Sequence, residues 1–263
     1  MISDRVIDEN IRLHAEQARD YQILNPQLFN SYSQRRLRRE VDFVLDGLNL
    51  GVPRIVDLGC GTGLLSSLFF SSADCDIIAV DLSKEMLDIF EDSVLMGGES
   101  SVELVKKEAM EFIQESLSKR IGYDVVAVSA LLHHLVDVEV FVSTACELVR
   151  PGGFLYIAFE PLKQEVKSRT RYFWHRVIRS LDENLFALSL WIRGIASEKK
   201  GLADYQLAFG GVDPCSVVGS LGSDFVVSSL SKFCVRRSSF LALVSDRVIK
   251  SENSFSLIAR RVV

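Results

Sequence analysis

Cysteine is sparse and scattered. Five residues (Cys60, Cys75, Cys146, Cys215, Cys234) form no CxxC pair and no Cys/His spacing of a metal site. Neither a disulfide framework nor a zinc site is therefore expected. No run of about 18 apolar residues occurs, so no integral membrane segment is expected. The opening stretch "MISDRVIDENIRLHAEQ" is polar and lacks an apolar core, so no secretory signal is expected. A cationic excess is also missing. The formal net charge is −5, which gives no electrostatic case for a nucleic-acid partner. The local arginine cluster "RRLRRE" (35–40) reads as a solvated helix face. There is no internal repeat and no low-complexity linker. A reducing, cytoplasmic location is the default for such a chain.

What is present is enough apolar material for a sizeable core: 48% hydrophobic against 25% charged over 263 residues. Residues 1–50 read as helical, with Leu37, Val41, Val44, Leu45 and Leu48 on one stripe. The period then changes. Strands are expected at 54–59, 76–83, 102–109, from 123, and at 154–161. Helices are expected at 63–72, from Lys84, from Met110 and from Val138, the last stopped by "PGG" (151–153). Gly152 and Gly153 are turn glycines. Strands of continuous apolar character alternating with helices imply a doubly wound α/β fold with a mostly parallel sheet covered on both faces.

After Pro161 the rhythm breaks. Residues 162–205 read as long, aromatic and helical, with Trp174, Val177, Ile178, Leu181, Leu185, Leu188 and Ile192 on one stripe. The segment is either a helix pair packed on the core or a lid over the substrate site, and it is also a candidate homodimer surface. A last helix ("DPCSVVGSLGS") and a closing antiparallel pair of strands at the edge ("FVVSSLSKF", "SFSLIARRVV") complete a seven-stranded sheet. The chain is expected to be one domain: cap helices 1–50, a cofactor-binding core 51–160, a helical insertion 161–210, and closing elements 211–263.

The stretch "RIVDLGCGTG" (54–63) ends an apolar strand in Asp57 and then sets Gly59, Gly61 and Gly63 at alternate positions. Ligands of open α/β sheets lie beyond the carboxyl ends of the strands. Glycine suits a ligand that lies against main chain. A dinucleotide site would want G-x-G-x-x-G, but Leu64 stands where its third glycine belongs. A phosphate loop would need Gly-Lys-Ser/Thr, which is absent. The residues themselves indicate a nucleoside-type site.

"VDLGCGTG" resembles the first motif of the class I S-adenosylmethionine-dependent methyltransferases. "IAVDLSKEML" is similar to that family's second-strand motif, "KKEAMEF" to its third-strand end, and "YDVVAVSALLHHL" with "LVRPGGFLYI" to its fourth and fifth strands. The resemblance covers 54–160 and implies a Rossmann-like fold of small-molecule type. It implies S-adenosylmethionine as cofactor and S-adenosylhomocysteine as product. Asp57 would then help hold the amino-acid end of the cofactor, and Gly59, Cys60, Gly61 and Gly63 would lie against it. Asp81 would take both ribose hydroxyls, with Leu82 beside it. Glu108 and the backbone of Ala109 would meet the adenine, and Ser129 at the end of the fourth strand would complete the contacts. Met86 either lines the adenine pocket or faces the core. Nothing near Cys60 activates its thiol. Tyr32 and Arg36, in a segment similar to the family's capping helix, are candidates for the methionine carboxylate, with ordinary packing the alternative for Tyr32.

Methyl transfer from a sulfonium expels a neutral leaving group, so alignment and desolvation carry much of the catalysis. A base is needed only where the acceptor loses a proton. His133 and His134 are the candidates, either as base or as structural histidines. No N-P-P-[YF] follows the fourth strand, where Ser129-Ala130-Leu131-Leu132 stands, which argues against amino methylation of DNA bases or protein amides. The expectation is O- or C-methylation of a small, largely apolar acceptor, with no metal. Two alternatives are a cofactor-binding but catalytically silent regulatory subunit, and a non-methylating enzyme such as a cyclase or decarboxylase that uses the same cofactor.

Overall fold

A computed structural model describes residue 12 and residues 18–48, 51–94, 102–163, 168–195 and 210–262. The expected helical character of 1–17, apart from Arg12, and of 196–205 lies outside the described residues.

The seven-stranded sheet comprises β1 (Arg54–Leu58), β2 (Asp76–Asp81), β3 (Val102–Lys106), β4 (Tyr123–Ser129), β5 (Val149–Pro161), β6 (Phe225–Phe233) and β7 (Ser254–Arg261). Its spatial order is β3-β2-β1-β4-β5-β7-β6. The first five strands are parallel, and β7 runs antiparallel to both β5 and β6. Of the closing pair expected at the edge, β7 lies inside the sheet and only β6 is the edge. The burial of β7 explains this: "SFSLIA" is buried at all six positions, whereas β6 is largely open.

Helices are α1 (Ser31–Asp46), α2 (Leu64–Ser72), α3 (Lys84–Val94), α4 (Ala109–Ser118), α5 (Val138–Leu148), α6 (Arg169–Arg193), α7 (Pro214–Gly219) and α8 (Ser239–Val244). Short helical turns at Tyr21–Leu24 and Pro26–Phe29 precede α1. α1 starts where the Asn30 side chain accepts from the backbone N–H groups of Tyr32 and Ser33, a cap that contributes about 1 kcal/mol. Its Leu37, Val41 and Val44 are fully buried at helical spacing, each contributing about 1.5–3 kcal/mol.

Two apolar layers flank the sheet. Val56 and Leu58 of β1 face the layer built with Phe112, Ile113, Phe141 and Val142 of α4 and α5. Ile55 faces the other, built with the α1 residues, Phe69 of α2 and Phe90 of α3. Strand order reverses between β1 and β4, so the carboxyl ends of these two strands flank a crevice.

β5 bends beside that crevice. Its register to β7 shifts between Ile157 and Glu160, and Phe159 has a left-handed φ of +58°. Ala130, just past β4, has φ +51°. Neither is glycine, and such backbone costs about 1–3 kcal/mol per residue. Two of the four left-handed non-glycine residues described thus lie beside the crevice, the others being Arg120 and Lys250.

Candidate functional site

A cavity of about 500 Å³ opens at the carboxyl ends of β1, β2, β3 and β4. It brings together Gly59, Gly61, Asp81, Leu82, Met86, Glu108, Ala109, Ser129 and His134 from the expected set. Four segments distant in sequence thus meet at the topological switch point.

Asp81 ends β2 and is oriented by two backbone donors. Its Oδ2 accepts from the N–H of Gly61 at 2.8 Å and its Oδ1 from the N–H of Ser83 at 2.8 Å. The glycine loop is itself pinned to β2: the N–H groups of Gly59 and Cys60 both donate to the carbonyl of Val80. Gly61 has φ +54°, and a Cβ built on it would meet nothing within 4 Å. The space beside it is therefore open to the cavity, as a ligand lying on main chain requires. Gly63 has another role. It precedes α2 with φ +84°, and a Cβ there would come within 2.5 Å of the Phe90 ring. It permits α3 to close on α2 and does not line the cavity.

Asp57 lies one layer deeper, behind the wall. Its Oδ2 accepts from the N–H and hydroxyl of Ser66 at 3.2 and 2.7 Å. Burial pushes its carboxyl up to about 6, the nearby Asp81 adds to the rise, and the Ser66 bonds oppose it. Cys60 is buried beneath the loop, and burial with Asp81 and Asp57 close by holds its thiol well above its ordinary value. The thiol is accordingly passive. Met86 both lines the cavity and is buried. Glu108 caps α4, its Oε2 accepting from the Glu111 N–H at 2.8 Å, so one oxygen of the expected adenine contact serves the helix.

The two histidine rings lie 4.0 Å apart, but their surroundings differ. His134 lines the cavity. His133 does not; its Nδ1 lies 3.0 Å from Oε2 of Glu160. Glu160, fully buried, also accepts the consecutive backbone N–H groups of Leu131, Leu132 and His133 at 2.7, 2.8 and 3.2 Å. Three successive amides wrapped on one anion form a nest that fixes the loop leading to His134. The bend at Phe159 turns this carboxylate inward.

Tyr32 and Arg36 are not in the cavity. The Tyr32 hydroxyl donates to Asp246, and burial with that bond pushes the phenol up to about 12. Arg36 pairs with Glu40 at 3.2 Å and lies 3.8 Å over the Phe233 ring. Tyr32 thus faces the β6–β7 connection and Arg36 the end of β6.

The rest of the wall is mostly apolar, with Leu131, Leu135, Val136, Val140, Phe141, Met110 and Tyr21, and carries two charged residues, Lys107 and Asp137. No described residue of 162–205 lines this cavity. α6 docks elsewhere, through His175, whose Nδ1 lies 3.1 Å from Arg236, and through Asp182, which accepts from the N–H groups of Arg237 and Ser238. A second cavity of about 510 Å³ lies between α6 and the 22–30 segment. Of the two readings of 162–205, a lid over this cavity is not seen in the described part. Sequence reasoning also missed Tyr21, Lys107 and Glu160. Glu160 alone left a signal, as the one charge in "FLYIAFEP".

The residues fit an adenosyl ligand on internal grounds. Ser129 Oγ, buried in the cavity wall, has no hydrogen-bond partner, and buried polar atoms ordinarily have one. Gly61 leaves main chain open, and Asp81 presents an oriented carboxylate able to accept paired hydroxyls. Among the described residues no group of three His, Cys, Asp or Glu side chains is placed to hold a metal, and no helix is long and apolar enough to cross a membrane.

Fold and site together define a doubly wound α/β protein with a nucleoside-type site at its switch point. The family profile described as "Methyltransferase domain" matches residues 29–186, more than half of the chain, and the chain belongs to that family. A ubiquinone biosynthesis O-methyltransferase of Xanthomonas oryzae pv. oryzae (strain PXO99A) is 29% identical over 119 residues, 45% of this chain and 47% of that protein. One from Bordetella avium (strain 197N) is 34% identical over 116 residues, 44% and 45%. The chain spans about half the length of the curated relatives it matches. Among solved structures, the plantazolicin methyltransferase BpumL in complex with S-adenosylhomocysteine aligns with TM-score 0.56 at 11% identity over 100% of both chains. These matches agree with the Rossmann-like methyltransferase fold. The [4+2]-cyclase SpnF aligns comparably, with TM-score 0.55 at 17% identity over 93% of this chain and 94% of that one.

Proposed function

We propose that the protein transfers a methyl group from S-adenosylmethionine to a small, largely apolar acceptor. The carrying observation is one cavity with two halves. An oriented carboxylate and an open glycine backbone (Asp81, Gly61) form the first half, and a largely apolar wall from 131–141 with His134 and Asp137 in it forms the second. When bound, the cofactor supplies an electrophilic methyl group on sulfur. The chain's residues supply the rest. Asp81 and Gly61 orient the nucleoside end, the 131–141 wall excludes water, and the Glu160 nest holds the loop of His134 so that its imidazole takes a proton from an acidic acceptor. Oxygen is the favoured acceptor atom, since the curated relatives are O-methyltransferases.

A non-methylating reaction with the same cofactor is the second reading, favoured by the shared fold of the [4+2]-cyclase. We place the protein in the cytoplasm as one methyltransferase domain, and propose a second copy, bound through the 162–205 region, as its protein partner. Calorimetry tests the site: S-adenosylmethionine binds in the micromolar range, and Asp81→Ala weakens it about 100-fold, as expected for loss of two charge-assisted hydrogen bonds at ~1.5 kcal/mol each. Undiminished binding by the variant refutes the assignment. Formation of S-adenosylhomocysteine with apolar phenols separates methyl transfer from the second reading.

A further inference from the structure

α6 is mounted with its polar side inward. The residues it buries are His175, Asp182 and Leu190, with Phe186 half-buried under Arg237, whereas its apolar stripe is mostly open to solvent, Leu185 lying at the rim of the second cavity. Ordinary amphipathic helices do the reverse. Trp174, Leu181, Leu185, Leu188 and Ile192 are each about half exposed or more, and only Ile178 is partly covered.

The spacing of these six residues is 4-3-4-3-4. That is the strict 3.5-residue repeat of a coiled-coil seam, with Ile178, Leu185 and Ile192 in one core position and Trp174, Leu181 and Leu188 in the other. A lipid surface selects a broad apolar face and has no need of this repeat. The open flank carries Val177, Asn184 and Trp191 and no charge, so a two-fold contact brings no like charges together. The exposed rings of Phe173, Trp174 and Trp191, each more than half exposed, present roughly 300–450 Å². That already matches the largest patch of a typical monomer, about 300–600 Å², before the aliphatic residues are counted.

We infer that the occupant of this face is α6 of a second copy, the two helices packing knobs-into-holes across a two-fold axis. This rests on the second-copy reading above and specifies its contact; it is independent of the methyl-transfer reading. The full chain, studied by sedimentation at micromolar concentrations, is expected at twice the chain mass. Leu181→Glu with Leu188→Glu is expected to weaken the dimer at least ~30-fold. Both positions are exposed in the single chain, so the circular dichroism spectrum and S-adenosylmethionine affinity of the variant should match those of the wild type. A monomeric wild type overturns both the seam and the second copy. A wild-type dimer that the double variant leaves intact overturns the seam alone. A monomeric wild type that co-sediments with phosphatidylglycerol/phosphatidylethanolamine vesicles assigns the stripe to lipid and overturns the inference as well.

Discussion

Replacing Asp57 by asparagine should stabilise the protein at neutral pH. Asp57 is 1% exposed. Its Oδ2 holds Ser66, and its Oδ1 has no hydrogen-bond partner. Burial raises its carboxyl from 3.8 to about 6 in the folded state. A rise of ~2 units corresponds to about 3 kcal/mol. The folded state therefore holds this proton more tightly than the unfolded chain. The associated stability is complete below about pH 4 and is lost as pH rises through about 6. Above that, the folded protein carries a buried charge at a cost of up to about 3 kcal/mol. The amide keeps an acceptor for Ser66 and exchanges an unpartnered acceptor for an unpartnered donor, with no charge at any pH. Urea unfolding from about pH 4 to about pH 8 would give the stability difference between the Asp57→Asn variant and wild type, and shared carboxylate titrations cancel in it. The difference should rise across about pH 4–6 toward ~3 kcal/mol in favour of the variant, then plateau. A difference that is flat with pH refutes the reasoning, as does a variant less stable than wild type above about pH 7.

The remaining predictions concern the glycine loop and the nest. Gly63→Ala should destabilise the fold by ~2–4 kcal/mol, from left-handed backbone and from overlap with the Phe90 ring. Gly61→Ala, with open space around it, should cost only about 1–2 kcal/mol in stability and act chiefly on S-adenosylmethionine affinity. Urea midpoints and calorimetry on both variants check the split, and equal stability losses would contradict it. Glu160→Gln replaces a pure acceptor with a group that presents a donor to three backbone donors and an imidazole. Amide exchange at 131–135 should accelerate at least ~10-fold, while S-adenosylmethionine affinity stays close to wild type. Unchanged exchange there, or cofactor binding lost in parallel, would remove Glu160 as the residue that positions the loop.

The central parallel strands are legible in the sequence because a strand buried on both faces reads as a short continuous apolar run: β1 and β4 are buried at nearly every position, whereas β3, at the opposite edge, has no fully buried residue. Local pattern carries no strand order, so β7 reads as an edge strand although it sits between β5 and β6. The same division holds in the site. Gly61, Asp81, Glu108 and His134 end or follow strands, and motif spacing places strand ends at the switch point. Tyr21 reaches the cavity through topology alone and leaves no pattern, whereas Lys107 comes with Glu108 from the same strand end. Tyr32 and Arg36 do not line the cavity for a related reason: their partners Asp246 and Phe233 are remote in sequence, and contacts of that range have no local signature.

α6 shows the limit most sharply. Its stripe is apolar and helical as its spacing predicts, and such a stripe ordinarily marks the side that faces the core. Here that inference reverses, because His175 and Asp182 have specific partners in the 236–238 segment. Buried polar groups with satisfied hydrogen bonds can anchor a helix whose main apolar stripe lies elsewhere, here beside a small apolar contact of Leu190 and Phe186. Periodicity therefore identifies the surface that seeks a partner, and only the contacts of the opposite side show that the partner is not this chain's own core.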